Sequence, residues 1–238
     1  MIRPVALLFD VFGTTVDWFQ PVSQEIHEVA SSLNIRMDSG LMAIEWRQAY
    51  FDGMSATING ETPWRKVDRI HRDALDQLLP RYGMDMLDGP ARDRLTNTWH
   101  RLRVWPDTIR GLSQLRASYI TATLSNGNFD LLIDLNRHNQ LQWDCLFCSD
   151  MFGHFKPDPE TYLGACDYLN LPPESVMMVA CHSKDVEAAK SNGLLTAFVH
   201  RPEEYGQQKQ ADIAEPGAFD VVATDFIHLA SQLEAMAA

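Results

Sequence analysis

The chain is poor in positive charge: 20 Lys and Arg stand against 32 Asp and Glu in 238 residues, for a formal net charge of -12. A sequence-independent grip on nucleic acid or on anionic lipid needs clustered basic residues, so both partner classes are excluded. Small anionic substrates are still admitted, because a few local cations outweigh the global field. No apolar run approaches the ~20 residues of a membrane-spanning helix, and the N-terminus lacks the basic, apolar and small-residue order of a secretion signal. The sequence therefore reads as a soluble cytoplasmic protein. Cysteine is also scarce, with four in the chain. Cys145-Leu146-Phe147-Cys148 is a solitary C-x-x-C pair with apolar flanks, so it reads as small filler in a buried strand rather than as half a zinc site or a redox dithiol. Internal repeats and low-complexity segments are missing as well, which removes solenoid and linker architectures.

Hydrophobic residues make up 45% of the chain, enough for a full core and for one domain that carries an insertion. Val5 to Phe9 reads as a buried strand of a parallel sheet. Helical spacing follows to about residue 100, with apolar stripes at Ile26, Val29, Ala30 and Leu33, at Trp46, Ala49, Tyr50 and Met54, and at Val67, Ile70, Ala74 and Leu78. Turn residues at Asn34 to Gly40, Ile58 to Pro63 and Pro80 to Gly89 separate these helices. From Pro106 the pattern alternates, with strands expected at Ile120 to Leu124, Leu146 to Ser149, Val176 to Ala180, Leu195 to Val199 and Val221 to Ala223. Asp107 and Asp225 read as helix-start residues, and Gln207 to Gly217 as a surface loop. The expected fold class is α/β, a doubly wound parallel sheet with an inserted helical cap. Residues 1-17 and 101-238 would form the core and residues 18-100 the cap, placed to close over a site and keep water out.

Chemistry is concentrated at the expected carboxyl ends of strands, where α/β folds bind ligands. Asp10 ends the first strand and is a nucleophile candidate. Ser125-Asn126-Gly127, directly after another strand, offers a hydroxyl, an amide and backbone donors to an anion, although alone it is a common turn. Lys156 precedes a stiff Pro-Asp-Pro turn, which fixes the direction of a cation able to keep Asp10 ionised. Arg47, in Trp46-Arg47-Gln48, adds a fork of donors beside an aromatic stripe. Val179 to Asp185 runs from a strand end into a helix, where Asp185 reads either as an acid of the site or as a helix-start residue.

Leu7 to Thr15 resembles the first motif of the haloacid dehalogenase superfamily, whose phosphatases carry a general-acid aspartate two positions after the nucleophile. Here that position is Phe12. A phenyl ring transfers no proton, so the leaving group should need none, as a halide does not. Superfamily phosphatases also place an acidic magnesium ligand at the position of Cys181, and a neutral thiol is a poor partner for that hard cation. No metal and no cofactor are expected. Together the segments resemble the type II 2-haloacid dehalogenases over nearly the whole chain. The resemblance implies that Ser125 and the amides around Asn126 hold the substrate carboxylate, that Lys156 and Tyr162 are the matching lysine and tyrosine, and that Arg47 accepts the halide. It further implies that Thr14 orients Asp10 and that Asp185 orients or activates water. Val11, Phe12, Gln48 and Trp64 are expected around the substrate, Trp64 as an apolar wall or simply as cap core.

The chain departs from better-known members, which carry Ser-x-Asn-x-aromatic-Asp where this one has Ala180, His182 and Lys184 before Asp185. His182 is expected to donate to the leaving halide or to help Asp185 deprotonate water, and Lys184 to face solvent. A smaller, more polar halide pocket, suited to chloride or fluoride, would follow. The function expected is metal-independent hydrolysis of short 2-haloalkanoic acids to 2-hydroxy acids through an aspartyl ester. The alternatives are attack on another electrophilic carbon, such as a strained cyclic amino acid, and phosphatase activity. Expected partners are the anionic 2-haloacid and halide, with a homodimer suggested by relatives; the apolar residues of the cap or of the helix around Leu131, Leu132 and Leu135 read equally as such a face or as core.

Overall fold

The computed structural model describes residues 3–236. Strand β1 (Ala6–Phe9) is the centre of a six-stranded parallel sheet in the order β5-β4-β1-β6-β7-β8, formed with β4 (Ile120–Ser125), β5 (Cys145–Cys148), β6 (Val176–Ala180), β7 (Leu195–Val199) and β8 (Val221–Ala223). The chain winds outward from β1 on one side through β4 and β5, then returns to the other side through β6, β7 and β8. Such a reversal opens a crevice at the carboxyl ends of the central strands. Phe9 pairs with Thr123 on one side and with Val179 on the other. Asp10 therefore leaves the sheet between the ends of β4 and β6.

Side chains alternate between the two faces of a strand, and here both faces are buried. Ala6, Leu8, Ala122, Leu124, Val176 and Met178 pack on one face. Leu7, Phe9, Met177 and Val179 pack on the other, against Leu112, Leu115, Phe226 and Leu229. This explains why the strands read as continuous apolar runs rather than as alternating ones. The covering helices are α5 (Thr108–Arg116), α6 (Phe129–Asn139), α7 (Ser149–Phe152), α8 (Pro159–Leu169), α9 (Ser183–Ser191) and α10 (Phe226–Ala235). Asp225 caps α10 by accepting from His228 N. Asp107 precedes α5 without capping it, because its carboxylate is taken by both terminal nitrogens of Arg201 and by Phe226 N.

Between β1 and β4 stand α1 (Phe19–Ser32), α2 (Ser39–Ile58), α3 (Val67–Leu78) and α4 (Gly89–Thr96), with 3-10 turns at Leu79–Tyr82 and Asn97–Arg101. A short antiparallel ribbon of β2 (Val16–Asp17) and β3 (Arg103–Val104) stands where the chain leaves the sheet and where it returns. The ribbon was not expected, since two-residue strands carry no pattern of their own. Asp38 caps α2 through Leu41 N. Gly53 lets α3 approach closely, since a Cβ there would lie 2.6 Å from Ile70. The helices share an apolar core with Phe12, Trp18, Trp99 and with Leu131, Leu132 and Leu135 of α6. Those three leucines are at most 2% exposed. They fill the contact between α6 and the helical segment, the core reading of the two that the sequence left open.

Candidate active site

A cleft of about 560 Å³ opens at the carboxyl ends of β1, β4 and β6, lined among others by Asp10, Phe12, Arg47, Lys156 and Asp185. Another cleft, about 450 Å³, lies at the amino ends of β4 and β5, and its charged pair Arg116 and Asp144 is already joined at 3.0 Å. The chemistry is in the first. Gly13 adopts φ +90°, a left-handed conformation that favours glycine. The turn it makes sends Thr14 back toward Asp10. Thr14 Oγ1 donates to Asp10 Oδ2 at 2.8 Å and accepts from Cys181 N at 3.0 Å, which ties the nucleophile loop to the end of β6.

Lys156 Nζ donates to Asp10 Oδ1 at 2.9 Å and also to Asp185 Oδ2, so one ammonium joins two carboxylates. Burial raises the Asp10 carboxyl, but the Lys156 charge and the His182 ring, whose Nδ1 lies 3.3 Å from Oδ2, outweigh it and hold Asp10 well below the usual carboxylate range. Asp185 moves the other way, because burial prevails over Lys156 and the charge of Asp10 adds to it. For Lys156 itself burial favours the neutral amine, yet the two carboxylates hold the ammonium above its ordinary range. Two acids of one type are thus driven apart, one firmly ionised and one more basic, which suits a nucleophile and a base respectively. Tyr162 donates to Asp185 Oδ1 at 2.7 Å. Asp185 lies in the first turn of α9 without capping it, and Lys156 and Tyr162 are its partners.

Arg47 is 5% exposed, and its Nε and Nη1 have no hydrogen-bond partner among the described residues. Its guanidinium carbon lies 4.8–5.8 Å from the ring centres of Phe51, Tyr50, Trp18, Phe12 and Trp99. A buried cation with unpaired donors in an aromatic cage is costly on its own and is suited to a weakly hydrated anion.

The remaining expected residues divide. Ser125 Oγ accepts from Gly127 N at 3.1 Å. Asn126 lines the cleft, but its side chain is used on the backbone of Lys156, accepting from Lys156 N at 2.7 Å and donating to Lys156 O at 3.5 Å. It therefore aims the lysine. Gln48 lines the cleft and donates to Asp52 at 2.8 Å, and Lys184 is an exposed lining residue. Val11 is buried in the core shared with the helices rather than lining the cleft. Trp64 is neither wall nor core: it is 36% exposed and stacks on Phe155 at 6.1 Å.

His182, expected to donate to the leaving halide or to help Asp185, has its ring between Asp10 Oδ2, 3.3 Å from Nδ1, and Glu204 Oε1, 2.8 Å from Nε2. Glu204 was missed altogether. It sits in a polar stretch with an adjacent glutamate, Glu203, and nothing local tells the two apart.

Magnesium does not suit these residues. Position 181 supplies a thiol, which burial pushes up to about 11, and the ammonium of Lys156 already joins the two carboxylates that would face the ion. Cys181, His182 and Glu204 bring possible ligand atoms within 4.8 Å of one another, a softer set. His182 and Glu204 are already joined to each other, and Glu204 also accepts from Trp18.

The family model of haloacid dehalogenase-like hydrolases matches residues 5–193. The chain belongs to that family. This hydrolase is 44% identical to the L-2-haloacid dehalogenase PA0810, with a TM-score of 0.92 and coverage of 99% of this chain and 100% of that one. It is 39% identical to the defluorinating L-2-haloacid dehalogenase Rha0230, with a TM-score of 0.93 over 97% of this chain and 95% of that one. The (S)-2-haloacid dehalogenase 4A of Burkholderia cepacia is 30% identical over 84% of this chain and 86% of its own length. The hydrolase thus spans nearly the full length of these relatives.

Proposed function

We propose that the hydrolase removes halide from short 2-haloalkanoic acids, giving 2-hydroxy acids through an ester on Asp10. The observation that carries this reading is the pair of buried, unpartnered donors on Arg47 next to Phe12. A leaving group that departs as an anion needs a seat of this kind and no proton, whereas a phosphate ester needs an acid at position 12. The names of the relatives support the same substrate class.

In the first half-reaction Asp10 attacks the carbon bearing the halogen while the substrate carboxylate is aligned by donors around Ser125 and by Lys156. The halide departs toward Arg47. Burial of the site and its aromatic wall keep bulk water from competing at that carbon. In the second, water attacks the carboxyl carbon of Asp10, with Asp185 as base. The helices of residues 18–100 act as the cap that supplies Arg47, Gln48 and Phe51. Within this reading the enzyme is a cytoplasmic homodimer, which light scattering and fractionation test.

Chloride release from 2-chloropropionate, without added metal and after treatment with a chelator, tests the proposal. Activity should persist in the wild type and vanish in Asp10→Asn. Phosphate release from phosphate esters in place of chloride release would overturn it. A single turnover in heavy-oxygen water should leave the label in Asp10 rather than in the first alcohol released. Fluoroacetate is a useful further substrate, because Rha0230 is a defluorinating enzyme.

A further inference from the structure

Glu204 lies in the segment between β7 and β8, is 1% exposed, and is the most deeply buried carboxylate near the cleft. Its Oε1 accepts from Trp18 Nε1 at 3.1 Å and meets His182 Nε2 at 2.8 Å, while Cys181 Sγ lies 3.6 Å from Oε2. The other ring nitrogen of His182 faces Asp10 Oδ2 at 3.3 Å. An imidazole set between two carboxylates satisfies both only when each nitrogen carries a proton. The nucleophile turn is shaped for this arrangement: a Cβ on Gly13 would lie 2.4 Å from Glu204 Oε1, so the carboxylate occupies the space a side chain would need.

The two oxygens of Asp10 have different surroundings. Oδ1 faces Lys156, and Oδ2 receives Thr14 Oγ1 and faces His182 Nδ1. If Oδ1 bonds to the substrate carbon, Oδ2 becomes the ester carbonyl oxygen and gathers negative charge when water attacks. We propose that Glu204 is a positioning residue that fixes His182 as a doubly protonated ring, so that His182 and Thr14 form the oxyanion hole of the ester-hydrolysis step. This assignment rests on the aspartyl-ester reading above.

Water oxygen bonds to Cγ of Asp10 and one water proton passes to Asp185. The tetrahedral intermediate places its oxyanion at Oδ2, against Thr14 and His182. The bond from Cγ to Oδ1 then breaks, and Oδ1 leaves with the product. Lys156 gives that alkoxide a proton and recovers one from Asp185. The second water proton is lost to solvent from the regenerated Asp10 carboxyl.

The groups facing His182 are Asp10 from the nucleophile turn, Cys181 on its own segment and Glu204 from the loop after β7, with Lys156 and Asp185 across the cleft. Burial disfavours the imidazolium, but Cys181, Glu204 and Asp10 together outweigh it and hold His182 well above its ordinary range. Burial likewise raises Glu204, and the charge and hydrogen bond of His182, with Arg47 and Trp18, together more than offset it.

The test begins with nitrogen NMR of wild-type His182, which should show both ring nitrogens protonated from pH 5 through 8. A titration near the ordinary value of 6.5 would overturn the proposal. Rapid-quench kinetics of Glu204→Gln on 2-chloropropionate should keep the first burst of chloride within about threefold of wild type. Steady-state kcat should fall about 10²-fold, the cost of one oxyanion-hole donor. Peptide mass spectrometry should find ester accumulating on Asp10, and Glu204→Asp should restore part of the rate. Equal loss of burst and steady state, or no loss of either, would mean that Glu204 is structural. If Glu204→Gln does not fold, His182→Gln is read in the same way. Failure of the dehalogenase reading is separable, since wild type would then release no halide while the ring nitrogens could still be titrated.

Discussion

The guanidinium carbon of Arg47 lies 5.4 Å from the centre of the Phe12 ring. The residue that stands where a proton donor would be needed for phosphate chemistry is thus part of the wall around the anion seat. Phe12→Asp should place a carboxylate against Arg47 and occupy the seat from within. Halide release should fall about 10²-fold or more, and no phosphatase activity should appear, because Cys181 and Lys156 still disfavour magnesium. Parallel assays of chloride from 2-chloropropionate and phosphate from small phosphate esters check this.

Arg47 is kept buried with donors unpaired, at a cost to the fold. Arg47→Met should abolish turnover yet raise Tm by about 2–8 °C, a gain of the order expected for removing an uncompensated buried charge. Bromide or chloride should raise the Tm of wild type at constant ionic strength, by linkage to the folded state, and leave the variant unmoved. Thermal melts in halide and fluoride-free acetate salts decide it.

Asn126 aims Lys156 without contacting the reacting atoms. Asn126→Ala should free the lysine backbone and lower kcat/KM about tenfold to a hundredfold, mostly through kcat, since misplacement by about 1 Å costs this much. Chloride-release kinetics over a range of substrate concentrations separate the two constants.

The pH profile should be broad and limited on the acid side. Asp10 stays ionised because Lys156 and His182 overcome its burial, whereas Asp185 is raised above 3.8 and must be unprotonated to take a proton from water. Falling pH therefore protonates Asp185 first, and kcat should drop on a limb above 3.8 while the first chloride burst persists. On the alkaline side Lys156, held above its ordinary 10.5, causes no fall below that value, so an alkaline limb of kcat below it would report loss of the second proton of His182. Stopped-flow and steady-state rates across buffers of matched ionic strength check both limbs.

The parts legible in the sequence are those set by local patterning. Val176–Ala180, Leu195–Val199 and Val221–Ala223 form strands at the residues expected, because short apolar runs bounded by turn residues mark buried strands locally. Asp10 could be singled out by its place at a strand end, and Lys156 and Asp185 by their place beside a stiff turn or a strand end together with the family motif; the structure joins the three through one ammonium. What was not legible depends on contacts between remote segments. Glu204 gains its place only by meeting His182, 22 residues away, and Trp18, 186 residues away. Trp64 failed for the opposite reason: a large apolar side chain invites a buried reading, yet at 36% exposure it lies on the outside of the helical segment.

Arg201 donates from Nε to Thr14 O and clasps Asp107 with its terminal nitrogens, three residues before Glu204. One short stretch of backbone thus steadies the nucleophile turn and delivers the histidine's counterion. A length change between 201 and 204 would disturb both at once. In residues 207–217 Asp212 lines the cleft and accepts from Ser183 N at 2.9 Å, whereas Lys209 reaches the rim of the cleft and lies over the Tyr205 ring. Attempts to retune which acids enter should therefore begin in that polar stretch, leaving the brace intact as a fixed chassis.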